Sequence, residues 1–313
     1  MPFMTETKPG HFSQEIREAV WRHVELARNV HRPHTLELVR MMSESRSVIE
    51  LGGDRLFGED PAMVGGFATL GRHKIVFVGH QKSDDVYKMQ QVNFGMAHPE
   101  GYRKAIRIFK LGERFGLPVV TFIDTPGAAP GAGAEERGIA ESIARSISTM
   151  SSLKTPIVAV IIGEGGSGGA LGIGVGDRVL ALENSIYSVI SPEGCAQILW
   201  RSTEARKEAA VAMKLTAGDQ EAIGVVDHVI LEPDGGAHND HFETARRLKA
   251  AITEELDDLT TKDTKELVNE RYTRYRNMGA FIDKSATLTH QRAKKREIAK
   301  RFRGLIHRKH SKS

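Results

Sequence analysis

One segment limits the fold more than any other: Val158-Ala-Val-Ile-Ile-Gly-Glu-Gly-Gly-Ser-Gly-Gly-Ala-Leu-Gly-Ile-Gly174. Five consecutive apolar residues read as a strand covered on both faces, because a half-exposed strand would alternate with polar residues. The strand runs into glycines, and small residues follow where a helix would open. Backbone N–H groups at such a junction lack helical partners and lie at the positive end of a helix dipole. With no side chain in the way, an anionic or electron-rich oxygen can reach them.

A strand covered on both faces requires layers above and below it, and the rest of the chain supplies them. Apolar runs at 64–70, 74–78, 119–123, 156–162, 177–182, 186–190 and 225–230 are predicted strands, with Gly71-Arg72-His73 as a turn. Helical spacing predicts helices at 13–30, 35–42, 99–115, 135–150, 192–200, 203–213, 217–223, 240–259 and 265–276. Ser13 is the expected cap of the first. Pro99 at its start and Gly116 past its end bracket the third, with Tyr102, Ala105, Ile106 and Phe109 on its buried face. Strand, glycine-rich loop and helix recur, which predicts an α/β fold with a largely parallel sheet. The expected organisation is a helical lead-in over 1–45, a core over 46–236, helices over 237–280 and a basic tail over 281–313.

The net charge of +4 is uneven. Residues 291–313 carry ten Lys/Arg and one Glu, a net of +9, so the remaining 290 residues sum to −5. A solvated terminal segment is the first reading of that tail, and docking on nucleic acid, a membrane or an acidic partner is the sharper one. Cys195 is the single cysteine, so no internal disulfide forms. No Cys/His cluster has zinc-ligand spacing, and no apolar run approaches the ~20 residues of a membrane span. The first ten residues lack a secretory pattern, and the expected location is cytoplasmic.

The glycine segment admits three chemistries. A P-loop needs Lys after its last glycine, and Gly168 is followed by Gly169-Ala170. Gly163-x-Gly165-x-x-Gly168 matches a dinucleotide fingerprint formally, with Glu183 twenty residues on, yet only about two helical turns fit before the next strand. An oxyanion hole, in which two backbone amides hold an oxygen as it gains charge, needs neither nucleophile nor metal. A second loop, Asp124-Thr-Pro-Gly-Ala-Ala-Pro-Gly-Ala-Gly-Ala134, follows a neighbouring strand. Loops at the carboxyl ends of parallel strands line one crevice, which makes Gly127, Gly131, Gly165, Gly166 and Ser167 candidate substrate contacts. Lys82, Arg103 and Lys104 are candidates for meeting phosphates, and His80 for a general base. Each also has a plain structural reading, as a solvated cation or a structural histidine.

Several ordered motifs then carry a resemblance. Gly79-His-Gln-Lys82, Asn93-Phe-Gly-Met96, Pro99-Glu-Gly-Tyr-Arg-Lys104, Thr121-Phe-Ile-Asp-Thr-Pro-Gly127, Ala134-Glu-Glu-Arg-Gly138, Ile162-Gly-Glu-Gly-Gly-Ser-Gly-Gly-Ala170, Tyr187-Ser-Val-Ile-Ser-Pro-Glu-Gly-Cys195 and Glu232-Pro-Asp-Gly-Gly-Ala-His238 resemble the α subunit of the bacterial and plastid acetyl-CoA carboxylase carboxyltransferase, over about residues 25–280. The resemblance implies a crotonase-like superhelix of ββα units. It implies transfer of a carboxyl group from biotin, borne on a separate carrier protein, to acetyl-CoA, giving malonyl-CoA for fatty-acid synthesis. It implies a zinc-ribbon-bearing β subunit in an α2β2 assembly, with a separate biotin carboxylase using the ATP and no metal in this chain. The family's paired glycine amides fall on Gly168 and Gly169, assigned to the acetyl-CoA enolate, with biotin left to the β-subunit loop; the reverse assignment stays open. The chain departs from the family pattern at Ala129, usually an aromatic, and at Ser83, usually glycine. A self-sufficient acyl-CoA hydratase or isomerase is the alternative enzyme, and its acid/base carboxylates would be Glu164 and Glu193. Transfer to another short acyl-CoA is a further alternative.

Overall fold

The computed structural model describes residues 12–279. Helices α1 (Gln14–Ala27) and α2 (Thr35–Met42) precede strand β1 (Ile49–Glu50), the hairpin β2 (Met63–Leu70) and β3 (His73–His80), and α3 (Val86–Gln91). Then come α4 (Pro99–Phe115), β4 (Val119–Thr125), α5 (Ala132–Glu136), α6 (Ile139–Ser152), β5 (Ile157–Gly166), α7 (Ser167–Leu171), β6 (Arg178–Leu182) and β7 (Ile186–Ser188). Helices α8 (Pro192–Trp200), α9 (Arg206–Met213) and α10 (Ala217–Ala222), strand β8 (His228–Ile230) and helices α11 (His241–Leu259) and α12 (Thr264–Arg276) follow.

The strands form one mixed sheet in the order β1-β2-β3-β4-β5-β6-β8, with β7 beside the end of β5. β1–β2 and β2–β3 pair antiparallel, and every pairing from β3 onward is parallel. Period-2 alternation divides the core into two layers. Ile157, Ala159 and Ile161 of β5 join Tyr102 and Phe109 of α4 and Met150 of α6 on one face. Val158, Val160 and Ile162 join Leu38 and Met42 of α2 and Leu248 and Ile252 of α11 on the other. The uninterrupted apolar run thus has helices on both sides.

Local signals place many boundaries. Ser13 caps α1 by accepting the Ile16 N–H, and Gly116 ends α4 in the left-handed region at φ 64°. Tyr102, Ala105, Ile106 and Phe109 are all buried. Four expectations are corrected. The segment 163–166 is strand, because β7 supplies a parallel partner: Glu164, Gly165 and Gly166 lie opposite Ile186, Tyr187 and Ser188. The loop expected over 124–134 shrinks to 126–131, since β4 runs on to Thr125 and α5 starts at Ala132. The helix expected over 135–150 is two helices, broken where Gly138 turns to φ 80°. The strand expected over 225–230 is only His228–Ile230, the length over which β6 offers partners.

Two buried arginines tie distant segments to the sheet. Arg32 donates to the Ile162 carbonyl from Nε at 3.0 Å and to Glu232 Oε1 at 2.6 Å. Glu232 also accepts from Asn184 Nδ2 at 2.9 Å and the Ala237 N–H at 2.7 Å. Burial opposes the Glu232 charge, but Arg32 outweighs it and holds the carboxyl below its usual range. Arg271 of α12 donates to the carbonyls of Met150, Leu153 and Thr155 and to both oxygens of Asp177, all within 2.7–3.0 Å. The chain leaves α6 at Ser152, so the Leu153 and Thr155 carbonyls have no helical partner, and Arg271 satisfies them. The tail expected over 281–313 lies outside the described residues.

Candidate active site

The two glycine segments leave the ends of neighbouring parallel strands and press against each other. A Cβ on Gly166 would lie 2.2 Å from the Pro126 carbonyl oxygen, and one on Gly169 would lie 2.4 Å from the Gly127 carbonyl carbon. Only glycine permits that approach. At Gly168 the nearest atom to an added Cβ is Ile143 Cδ1 at 3.9 Å, an ordinary contact. Between them and the strand, Ser167 adopts φ 54°, a left-handed conformation costly for a residue with a side chain and characteristic of functional turns.

The turn's carbonyls are tied into the core. Tyr102 Oη donates to the Gly169 carbonyl at 3.1 Å, and Ser146 Oγ to the Gly172 carbonyl at 2.5 Å. In a five-residue helix beginning at Ser167, the amides of Gly168 and Gly169 have no acceptor within the helix. Gly168 borders a cleft of ≈ 510 Å³ lined also by Ser167, Leu171, Tyr187, Val189 and Cys195. Gly169 is buried behind it against Gly127 and Ala128. Gly127 is half-buried with its N–H on Thr125 Oγ1 at 3.1 Å, Gly165 is buried, and Gly131 is exposed at φ 99°. Ala129 is 3 % exposed and packs in the core rather than lining the cleft.

Next to this junction runs a line of alternating charges. Lys82 Nζ sits 2.7 Å from Asp124 Oδ1 and 3.2 Å from Glu164 Oε1. Arg28 of the segment after α1 donates from Nε to Glu164 Oε2 at 2.9 Å and from its terminal nitrogens to Glu193 at 2.8 and 3.2 Å. Burial disfavours the Lys82 charge, but Asp124 and Glu164 reverse the balance and raise its pKa; the same pairing lowers that of Asp124 against its own burial. Glu193 is likewise held low by Arg28 against the cost of burial. The Asp124 carboxylate also accepts the Glu164 N–H at 3.0 Å, and Gly163 leaves the room it occupies.

This arrangement changes the reading of several candidates. The Lys82 ammonium is engaged by two carboxylates and is therefore neither solvated nor available to a phosphate. Arg103 pairs with Asp54 and Lys104 with Glu59. Glu164 and Glu193, the carboxylates a hydratase would need, are both held by the one Arg28 guanidinium. His80 is fully buried, and desolvation pushes its pKa to about 4, so it is neutral at pH 7 and a weak base. Cys195 is half-buried on the cleft, and burial raises its thiol pKa, which keeps it protonated and unreactive. Among the described residues no cluster of His, Cys, Asp or Glu could hold a metal, and no helix is long and apolar enough to cross a membrane.

Arg28 and Asp124 escaped the sequence reading. Arg28 is recruited across 136 residues to Glu164, and no local pattern marks it. Asp124 did carry a signal, a carboxylate at the end of an otherwise apolar strand, which demands a buried partner.

The mixed sheet flanked by helices, with a glycine junction at adjacent strand ends, is the crotonase fold as used by carboxyltransferases. Among solved structures, a transcarboxylase 12S chain crystallised with methylmalonyl-coenzyme A matches with a TM-score of 0.61 and 20 % identity, covering 82 % of this chain and 47 % of that one. This chain thus spans about half the length of the transcarboxylase chain. A chain of a Pseudomonas malonate decarboxylase hetero-tetramer matches with a TM-score of 0.59 and 16 % identity, over 82 % of this chain and 97 % of that one. The chain belongs to the acetyl co-enzyme A carboxylase carboxyltransferase-like family, whose model matches residues 8–279. It is 51 % identical over 272 residues to the acetyl-coenzyme A carboxylase carboxyl transferase subunit alpha of Chlorobaculum parvum, covering 85 % of this chain and 80 % of that protein. To the subunit alpha of a Thermus thermophilus strain it is 52 % identical over 263 residues, 84 % of each.

Proposed function

We propose that this chain is one half of a carboxyltransferase site that moves a carboxyl group from biotin to acetyl-CoA, and that the Gly168 and Gly169 amides hold the reacting oxygen. The observation that carries the reading is the junction itself: Gly166 and Gly169 packed on the Pro126–Ala128 backbone at the edge of an apolar cleft. Carboxybiotin, delivered on a separate carrier protein, supplies the carboxyl group.

This chain's residues supply orientation and electrostatics. The methyl proton of acetyl-CoA would pass to the ureido group of biotin as that substrate gives up its carboxyl group, and the methyl carbon would bond to the carboxyl carbon. The negative charge that gathers on the thioester oxygen between these events is stabilised by two fixed N–H groups without reorganising. We assign the thioester oxygen to Gly168 and Gly169. The Tyr102 hydrogen bond and the contact with Gly127 keep the donors aimed. The Lys82–Asp124–Glu164–Arg28 line fixes the end of β5 from the other side. Leu171, Tyr187 and Val189 give the cleft apolar walls, which a β subunit seated over them would close against water.

The remaining half of the site is assigned to a β subunit, the partner implied by the name of the curated relatives. The test is to assay malonyl-CoA formation by the full chain alone and with a matching β subunit, given acetyl-CoA and carboxylated carrier. Activity only in the mixture is expected. Malonyl-CoA formation by the chain alone, or hydration of an enoyl-CoA by it, would count against the reading.

A further inference from the structure

The outer face of α4 carries a second cavity, ≈ 480 Å³, for which the reaction provides no role. Its walls come from α4, the segment 54–56 and one residue of α6. Six of its ten lining residues are Arg or Lys, and one is Asp.

Neutralisation there is incomplete. Arg103 Nε donates to Asp54 Oδ2 at 2.7 Å, and Arg145 pairs with Glu141 at 2.7 Å. Arg55, Arg107, Lys110 and Arg114 form no ion pair among the described residues. Arg107 donates from Nε to the Gly53 carbonyl at 3.0 Å and from a terminal nitrogen to the Gly52 carbonyl at 2.8 Å, contacts that orient the guanidinium without cancelling its charge. Burial, then the nearby charge of Arg55, depress the Arg107 pKa, and the smaller influence of Glu59 and Asp54 does not offset them. Arg55 is itself held at φ 67° by a turn in which Asp54 Oδ1 accepts the N–H groups of Leu56, Phe57 and Gly58 at 2.8–2.9 Å. The fold therefore gathers four cations without an ion pair around one hollow, a charge that an anion would offset.

The shape narrows the anion. The volume suits a small molecule. Four unpaired cations around one hollow suit a ligand with several charges close together, and Leu56, Ile106 and Leu111 add an apolar wall. We propose that this cavity is a binding site for a small polyphosphate anion, either a free chain or the phosphate end of a nucleotide. The site is independent of the carboxyltransferase reading.

Calorimetric titration of sodium tripolyphosphate and of ATP into the full chain tests it. One cavity-dependent site per chain is expected, weakened at least about ten-fold by raising NaCl from about 50 to about 300 mM, as exposed charges are screened. Lys110→Gln/Arg114→Gln, at two exposed positions, should weaken it at least ten-fold, and Arg107→Gln is an independent second variant. Equal affinities for the two ligands assign the site to the phosphate chain alone, whereas ATP binding five-fold tighter or more assigns the apolar wall to a base. The basic segment 291–313 is the rival phosphate sink, so Lys294→Gln/Lys295→Gln/Arg296→Gln is the control and should leave the cavity-dependent site intact. Absence of binding tighter than about 1 mM at low salt, or binding lost with the tail variant and untouched by the cavity variants, would overturn the proposal.

Discussion

Replacing Gly169 by alanine adds one methyl group where the structure has no space for it. The new Cβ would stand 2.4 Å from the Gly127 carbonyl carbon, 2.6 Å from the Ala128 nitrogen and 2.8 Å from the Gly127 oxygen. Carbon atoms rest at about 3.5–4.0 Å, so the two segments must part by about 1 Å. Both partners are backbone, and no side chain can swing aside. A shift of about 1 Å in a catalytic group costs about 10²-fold, and loss of one oxyanion donor costs about 2.7–4 kcal/mol, or about 10²–10³ in kcat. Overpacking should also lower stability by about 1–3 kcal/mol. Gly168→Ala is the internal control for folding and assembly. Its methyl meets only Ile143 at 3.9 Å, its N–H is retained, and alanine favours the helix by up to about 1 kcal/mol. The assay is steady-state malonyl-CoA formation by the full chain assembled with its β subunit, with gel filtration and thermal melting to establish that assembly survives. A kcat reduced at least about 100-fold for Gly169→Ala is expected, with Gly168→Ala assembling and melting no lower than the parent. A Gly169→Ala enzyme within about five-fold of the parent would refute the amide-donor argument. A variant whose only defect is a raised KM for carboxylated carrier would move the assignment from the thioester oxygen to that of biotin.

Two further predictions concern the buried arginines. Glu232→Gln should destabilise the fold by about 3–5 kcal/mol at pH 7, because Arg32 is left buried without its counter-charge. The folded-state pKa of Glu232 is depressed, so its contribution is complete above the unfolded value of about 4.3 and disappears as pH falls through the folded value. Urea unfolding of parent and variant should therefore show a gap that narrows below about pH 4, and a gap that persists or widens there would contradict the sign. Arg271→Met should cost about 3–5 kcal/mol by stranding the Asp177 carboxylate and three carbonyls, and adding Asp177→Leu should recover at least about 1 kcal/mol, read from denaturant midpoints. Strict additivity of the two substitutions would remove the pair from the account.

How much of this was legible beforehand depended on the range of the forces involved. Helix α4 was readable from Pro99 to Phe115 because its start, stop and apolar face are set by residues within a few turns of one another. Helical spacing runs straight through Gly138, and only the packing of Ala134 and Ile139 into one core decides where the break falls. The glycines at 163–166 carry a loop signal locally, because their strand state depends on β7, about twenty residues away.

The order of residues alone determined that the chain would be layered α/β, since an apolar run covered on both faces admits few other surroundings. It also marked the 163–169 segment as the place where main-chain donors could meet a substrate. The tertiary structure decided that the two glycine loops touch, which turns a permissive sequence into a rigid pair of donors. It decided as well that Arg28 reaches Glu164 and Glu193, and that Lys82 is engaged by Asp124 and Glu164. Backbone propensity acts over a few residues and can be read along the chain. Charge pairing and steric contact act through space, and their partners are fixed only when the sheet has formed.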